Sequence, residues 1–84
     1  MIHKATTTFW QRYNDLPRSV QRRADKAFQQ LKSNPRHPSL HFKNVGELWS
    51  ARVSKDYRAL ALESRDGFDW VWIGPHSEYN RLIK

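Results

Sequence analysis

The chain predicts an α+β domain: an N-terminal helical hairpin packed on a small antiparallel sheet, closed by a short C-terminal helical segment. Three observations lead there. Apolar residues recur at helical spacing as far as about Lys32, they follow strand-like runs from Glu47 to Gly74, and a proline- and histidine-rich stretch separates the two regimes.

Taken in order, Thr6-Thr7-Thr8 precede Phe9, Tyr13 and Leu16, whose i, i+4, i+7 spacing predicts a short helix with a hydroxyl N-cap. Pro17 interrupts it and suits the first turn of a second helix, running from about Pro17 to Lys32, with Val20, Ala24, Ala27, Phe28 and Leu31 as its apolar stripe. A connection this short predicts an antiparallel pair. Residues Asn34 through Asn44, with Pro35 and Pro38, read as a loop. Three strands are expected after Gly46, roughly Glu47–Ser54, Tyr57–Ser64 and Phe68–Gly74. Lys55-Asp56 joins the first two, and Asp66-Gly67, a strong hairpin signal, joins the last two. His76–Ile83 has the composition of one or two helical turns, too short to be stable without packing.

With 84 residues and 38% hydrophobic content, the whole span 1–84 is expected to form a single domain around one core. Four Trp, three Tyr and four Phe supply much of that core, because each ring buries a large area. Cysteine is absent, which removes disulfides and thiolate metal sites. The four histidines (His3, His37, His41, His76) are scattered without ligand spacing, so no metal is expected. The three glycines form no phosphate-binding motif, so no nucleotide cofactor is expected either. Met1–Thr8 lacks the apolar region of a signal peptide and no run reaches membrane-span length, so the expected location is cytoplasmic.

The net charge of +7 is one-sided. Residues 1–46 hold nine Lys/Arg against two acids, whereas residues 47–84 hold six of each. That asymmetry is the footprint of a polyanion binder. Arg18, Arg22 and Lys26 recur at i, i+4, i+8 on the second helix, opposite its apolar stripe, and read either as a solvated face or as a clamp on a phosphate backbone.

In the first strand of the meander Trp49, Ala51 and Val53 alternate with Ser50, Arg52 and Ser54, which puts Arg52 on the less apolar face. Arg58 shares a face with Leu60 and Leu62. Simple alternation also groups Phe68, Trp70 and Trp72 against Val71 and Ile73, so both faces carry apolar bulk and need a cover. Either the chain's own segments provide it or Leu60, Leu62, Trp70 and Trp72 form a docking patch for a partner.

Two arginines on adjacent strands, with a histidine just beyond the third, form a plausible kit for gripping a phosphodiester and moving a proton. Arginine pairs bidentately with phosphate and stays charged; imidazole changes charge near neutral pH. Arg52 and Arg58 would grip the phosphate, and His76 would move the proton. Tyr79 would stack on a base, from three residues beyond His76. Salt bridges from Arg52 or Arg58 to Asp56, Glu63 or Glu47 are the structural alternative, and core packing is the alternative for Tyr79.

The order Leu48-Trp49-Ser50-Ala51-Arg52-Val53-Ser54…Tyr57-Arg58, answered by Gly74-Pro75-His76, resembles the RelE/ParE superfamily of toxins from bacterial toxin–antitoxin pairs, over nearly the whole chain. The core motif looks like the ribosome-dependent RNase branch. That resemblance implies a metal-independent endoribonuclease that cuts mRNA on the ribosome and inhibits translation. Arg58 and Arg52 match its basic strand positions, His76 matches an acid used in some members, and Lys43 loosely matches a lysine near the phosphate. Glu47 matches its glutamate base poorly. The resemblance further implies a first strand near Ile2–Thr7, contact between the basic helix face and ribosomal RNA, and a cognate antitoxin whose segment wraps the toxin. A ParE-like inhibitor of DNA gyrase and a degenerate homologue that only binds an antitoxin are the competing readings, since the superfamily shares one fold.

Overall fold

The computed structural model describes residues 2–83, in the order β1 (Ile2–Ala5), α1 (Thr7–Asn14), α2 (Arg18–Ser33), a 3₁₀ turn (Pro38–Leu40), β2 (Lys43–Val45), β3 (Leu48–Ser54), β4 (Tyr57–Glu63), β5 (Gly67–Pro75) and α3 (His76–Leu82). The five strands form one sheet in the order β1-β5-β4-β3-β2. The α+β class and the three-strand meander are as expected, and the first strand that the resemblance implied near Ile2–Thr7 is present as β1; an all-antiparallel sheet under a helical hairpin is not what forms.

A strand comes first, and it lies parallel to β5 with Ile2 opposite Gly67 and Ala5 opposite Trp70, so the sheet is mixed rather than antiparallel. Gly67 is required there, because a Cβ would run into the backbone of Ile2. Nor do the two helices behave simply as a hairpin laid on the sheet. Helix α1 packs chiefly on β5 and α2 on β3. Hydrogen bonds from Tyr13 Oη to Asp25 (2.7 Å) and from Gln21 Nε2 to the Tyr13 carbonyl (2.9 Å) bridge them. Thr6 caps α1 by accepting from the Phe9 N–H at 3.2 Å, as the hydroxyl run predicts. Pro17 occupies the N-cap of α2, one residue outside its expected place. The supposed loop holds more order than its prolines advertise: His37 Nδ1 accepts from Ser39 N–H to cap the 3₁₀ turn, and Lys43–Val45 add an edge strand.

The helices cover one face of the sheet. Ala51, Ala59 and Ile73 form one cross-strand row there, and Trp49, Ala61 and Trp70 the next. Small alanines in the central strands leave room for the rings of Phe68 and Trp70 and for Leu31 of α2, all buried. On the opposite face Leu60, Trp72 and Tyr79 make a second, smaller cluster roofed by α3.

Trp70 and Trp72 therefore lie on opposite faces, against the simple alternation. The register between β4 and β5 shifts between Leu60 and Ala61, which pair with Trp72 and Trp70, so Val71 is an extra residue in β5. A bulge of this kind reverses the phase of every side chain beyond it. The expected Leu60, Leu62, Trp70, Trp72 patch is thereby dismantled: Leu60, Trp70 and Trp72 are buried, and only Leu62 is exposed.

Candidate active site

Arg52 and Arg58 stand directly opposite each other on β3 and β4, with Gly74 of β5 as the next member of the row. The adjacent row is Lys43, Ser50, Leu60 and Trp72. Directly paired residues share a face, so Lys43, Arg52 and Arg58 all project on the side away from α1 and α2. Lys43 lies one strand over and two residues along from Arg52, about 8 Å between backbone positions at normal strand spacings.

Like charges opposite each other across strands are destabilising. Here no ion pair to an acid relieves them, because the one ion pair among the described residues joins Arg12 to Glu78 at 3.7 Å. The alternative of salt bridges to Asp56, Glu63 or Glu47 is not realised. Arg58 instead folds its Nη1 onto the β3–β4 turn, donating to the carbonyls of Ser54 at 2.6 Å and Tyr57 at 2.9 Å. Desolvation by burial, then repulsion from Arg52, holds its guanidinium below the usual arginine range, with Tyr79 and Asp56 pulling the other way. The charge on Arg58 is uncomfortable, which is the electrostatic state an arriving anion relieves.

His76 opens α3, and its backbone N–H donates to the Asp56 carbonyl at 2.7 Å, which ties the start of the helix to the same turn that Arg58 holds. Its ring lies 5.6 Å from that of Tyr79, centre to centre, and Nδ1 is 3.1 Å from Asn80 Nδ2. With the Asn80 amide donating, Nδ1 accepts and the neutral ring carries its proton on Nε2. Tyr79 is thus the common neighbour of His76 and Arg58. Only 5% exposed, Tyr79 fills the second cluster instead of standing free to stack on a base.

Two other expectations part from this group. Glu47 sits in the turn ahead of β3, and Leu48, the first residue of that strand, is already about 13 Å from Arg52 at normal strand spacing. Arg18, Arg22 and Lys26 are exposed on α2, which belongs to the layer covering the opposite face. They are a separate basic surface.

Sequence reasoning missed Arg12, Trp72, Glu78 and Asn80. Beyond the four residues of β1, α1 lies against β5, and from it Arg12 places its guanidinium 5.7 Å from the centre of the Trp72 ring while pairing with Glu78 of α3. Trp72 folds over Gly74, where a Cβ would meet the ring at 2.6 Å, and its indole N–H is buried without a partner. Asn80 alone had a legible signal, four residues after His76 on a helix.

The model of the ParE-like toxin domain matches residues 18–81. The chain belongs to that toxin family, within the RelE/ParE superfamily. Solved structures show the same fold. A chain of the RelB–RelE antitoxin–toxin complex from Methanococcus jannaschii superposes with a TM-score of 0.74 at 13% identity, covering 96% of this chain and 99% of that one. A chain of the archaeal RelE–RelB complex from Pyrococcus horikoshii gives 0.63 at 21% identity, with 87% and 91% covered. A chain of the toxin–antitoxin complex RelBE2 from Mycobacterium tuberculosis gives 0.63 at 20%, with 88% and 95% covered. No curated protein matches this ParE-like chain in sequence.

Proposed function

We propose that this ParE-like protein is a metal-independent endoribonuclease toxin that cuts mRNA on the ribosome in the cytoplasm and is restrained by a cognate antitoxin. One observation carries the reading: Arg52 and Arg58 face each other without an acid between them, on the face that also bears Lys43 and at the end of the sheet where His76 begins α3. A site that concentrates cations at a cost to its own stability is organised for an anion, and a phosphodiester supplies one.

In the proposed reaction the ribose 2′-oxygen attacks phosphorus and the bond to the 5′-oxygen breaks, leaving a 2′,3′-cyclic phosphate and a 5′-hydroxyl. Arg58 and Arg52 neutralise the charge that builds on the phosphoryl oxygens, and His76 delivers a proton to the departing 5′-oxygen. The group that takes the 2′-proton is unassigned. Arg18, Arg22 and Lys26 contribute a second contact to RNA from the helical layer, where each lost phosphate contact lowers the salt slope by about 0.7–0.9. Antitoxin binding rests on the related complexes, in which RelE is solved with RelB.

The ParE-like description of the matching family favours a second reading, inhibition of DNA gyrase by binding alone. The third, a degenerate homologue, loses its motive, since β1 is formed and paired. Induced expression in a bacterium, with mRNA 5′ ends mapped beside a supercoiling assay, separates the first two. Codon-phased cuts that vanish in His76→Gln support the nuclease; altered supercoiling with intact message overturns it.

A further inference from the structure

Helix α3 gives His76 a polar partner of its own. Asn80 stands one turn further along the helix, and its Nδ2 lies 3.1 Å from His76 Nδ1. The rest of the residue is fixed as well: the His76 N–H donates to the Asp56 carbonyl at 2.7 Å, and the ring sits 5.6 Å, centre to centre, from that of buried Tyr79. With Nδ1 occupied along the helix, Nε2 is the ring nitrogen left without a bonded partner among the described residues. A proton exchanged between this ring and a substrate therefore passes through Nε2.

The chemical kind of the partner matters. An ionised carboxylate can only accept, so it would hold a proton on Nδ1 in every state of the ring. The acids nearest in sequence are engaged elsewhere: Glu78 pairs with Arg12 at 3.7 Å, and Asp56 meets His76 through its main-chain carbonyl. An amide, by contrast, carries a donor at one end and an acceptor at the other, and a half-turn about its Cβ–Cγ bond exchanges them. Its NH2 group serves a ring protonated on Nε2, and its oxygen serves a ring protonated on Nδ1. Asn80 is exposed, which leaves room for that turn.

We propose that Asn80 is the positioning residue of His76: it reserves Nε2 for the substrate and, by reversing its amide, stays bonded to Nδ1 before and after the proton has gone. The purpose of this device rests on the nuclease reading; its geometry does not. In the imidazolium both nitrogens carry hydrogen, and Nδ1–H donates to Asn80 Oδ1. As the bond between phosphorus and the 5′-oxygen breaks, its electron pair stays on that oxygen, which takes the proton from Nε2. The ring is left neutral with its remaining proton on Nδ1, still held by Asn80 Oδ1. Exchange with water then moves the proton to Nε2, the amide turns over, and Nδ2 donates to Nδ1 as in the structure.

Ring-nitrogen chemical shifts read this pairing without any cleavage. The full chain, carrying 15N-labelled histidine, is observed by NMR about two pH units above the ordinary histidine value of about 6.5, where an imidazole is neutral. His76→Gln identifies which of the four histidine signals belongs to His76. In the wild type the proton should sit on Nε2. Asn80→Asp, which can only accept, should move it to Nδ1, and Asn80→Leu should leave the ring with the tautomer mixture of an unstructured peptide. A ring that keeps its proton on Nε2 in Asn80→Asp, or a wild-type ring indistinguishable from that of Asn80→Leu, would overturn the proposal. On ribosome-bound mRNA, Asn80→Leu should lower kcat about tenfold, the upper end of what one hydrogen bond contributes, with KM unchanged. An unchanged kcat beside an altered tautomer overturns the positioning role. Tautomers as expected in a wild-type chain that cuts no RNA would remove the nuclease and uphold the pairing.

Discussion

The two faces of the sheet are built on opposite principles. Beneath α1 and α2, alanines alternate with rings, side chains interlock, and the described polar atoms find partners. On the other face two arginines oppose each other, an indole N–H is buried unsatisfied beside an arginine, and a seven-residue helix is the roof. The first face stores the stability. The second spends some of it to keep donors and positive charge in place, a pattern that belongs to sites and seldom to scaffolds.

Substitutions should separate the two. Trp70→Ala, on the helical face, removes a ring from the main core and its hydrogen bond to His3 Nδ1, and is expected to cost about 3–5 kcal/mol in urea unfolding. A loss under 1 kcal/mol would mean the face is not the core described. On the other face Arg58→Ala should lower RNA cleavage roughly 10²–10³-fold, as for the loss of a preorganised donor. Because it also strips two good hydrogen bonds from the turn, Arg58→Lys is the sharper variant: charge is kept, the fork is lost, and cleavage should still fall. Arg52→Ala should do what core substitutions do not, raising stability by about 0.2–1 kcal/mol as the facing charge is removed while weakening binding to RNA. Lower stability together with unchanged RNA affinity would reverse the assignment.

The smallest effect concerns pH. Burial, followed by nearby positive charge, holds the His3 imidazole below its ordinary value, and its Nδ1 accepts from Trp70. The unfolded chain therefore takes up the proton first as pH falls. The contribution of His3 is complete above about 6.5 and is lost progressively below it. Melting temperature should drop on acidification through that range, less steeply in His3→Gln.

Much of this was legible in the residues. Strand β3, the β4 start at Tyr57 and the Asp66-Gly67 turn follow from local pattern alone, and so does the adjacency of Arg52 and Arg58, since a tight hairpin leaves them few other registers. What was illegible is set at a distance. Ile2-His3-Lys4-Ala5 has little strand character of its own; its partners are Gly67–Trp70 and the rings that enclose His3. The Val71 bulge has no local sign, and missing it misplaced Trp72 and with it the supposed docking patch. Arg12 has no local sign of its role, which depends on α1 lying beside β5.

The parallel pairing of β1 also sets an order of events. Ile2 waits for Gly67, and closing a loop of that size costs about 4 kcal/mol before the strand gains anything in return. During synthesis β1 emerges before β5, so its backbone groups are paired with water alone until β5 has left the exit tunnel. Maturation of this domain is timed by β1 meeting β5.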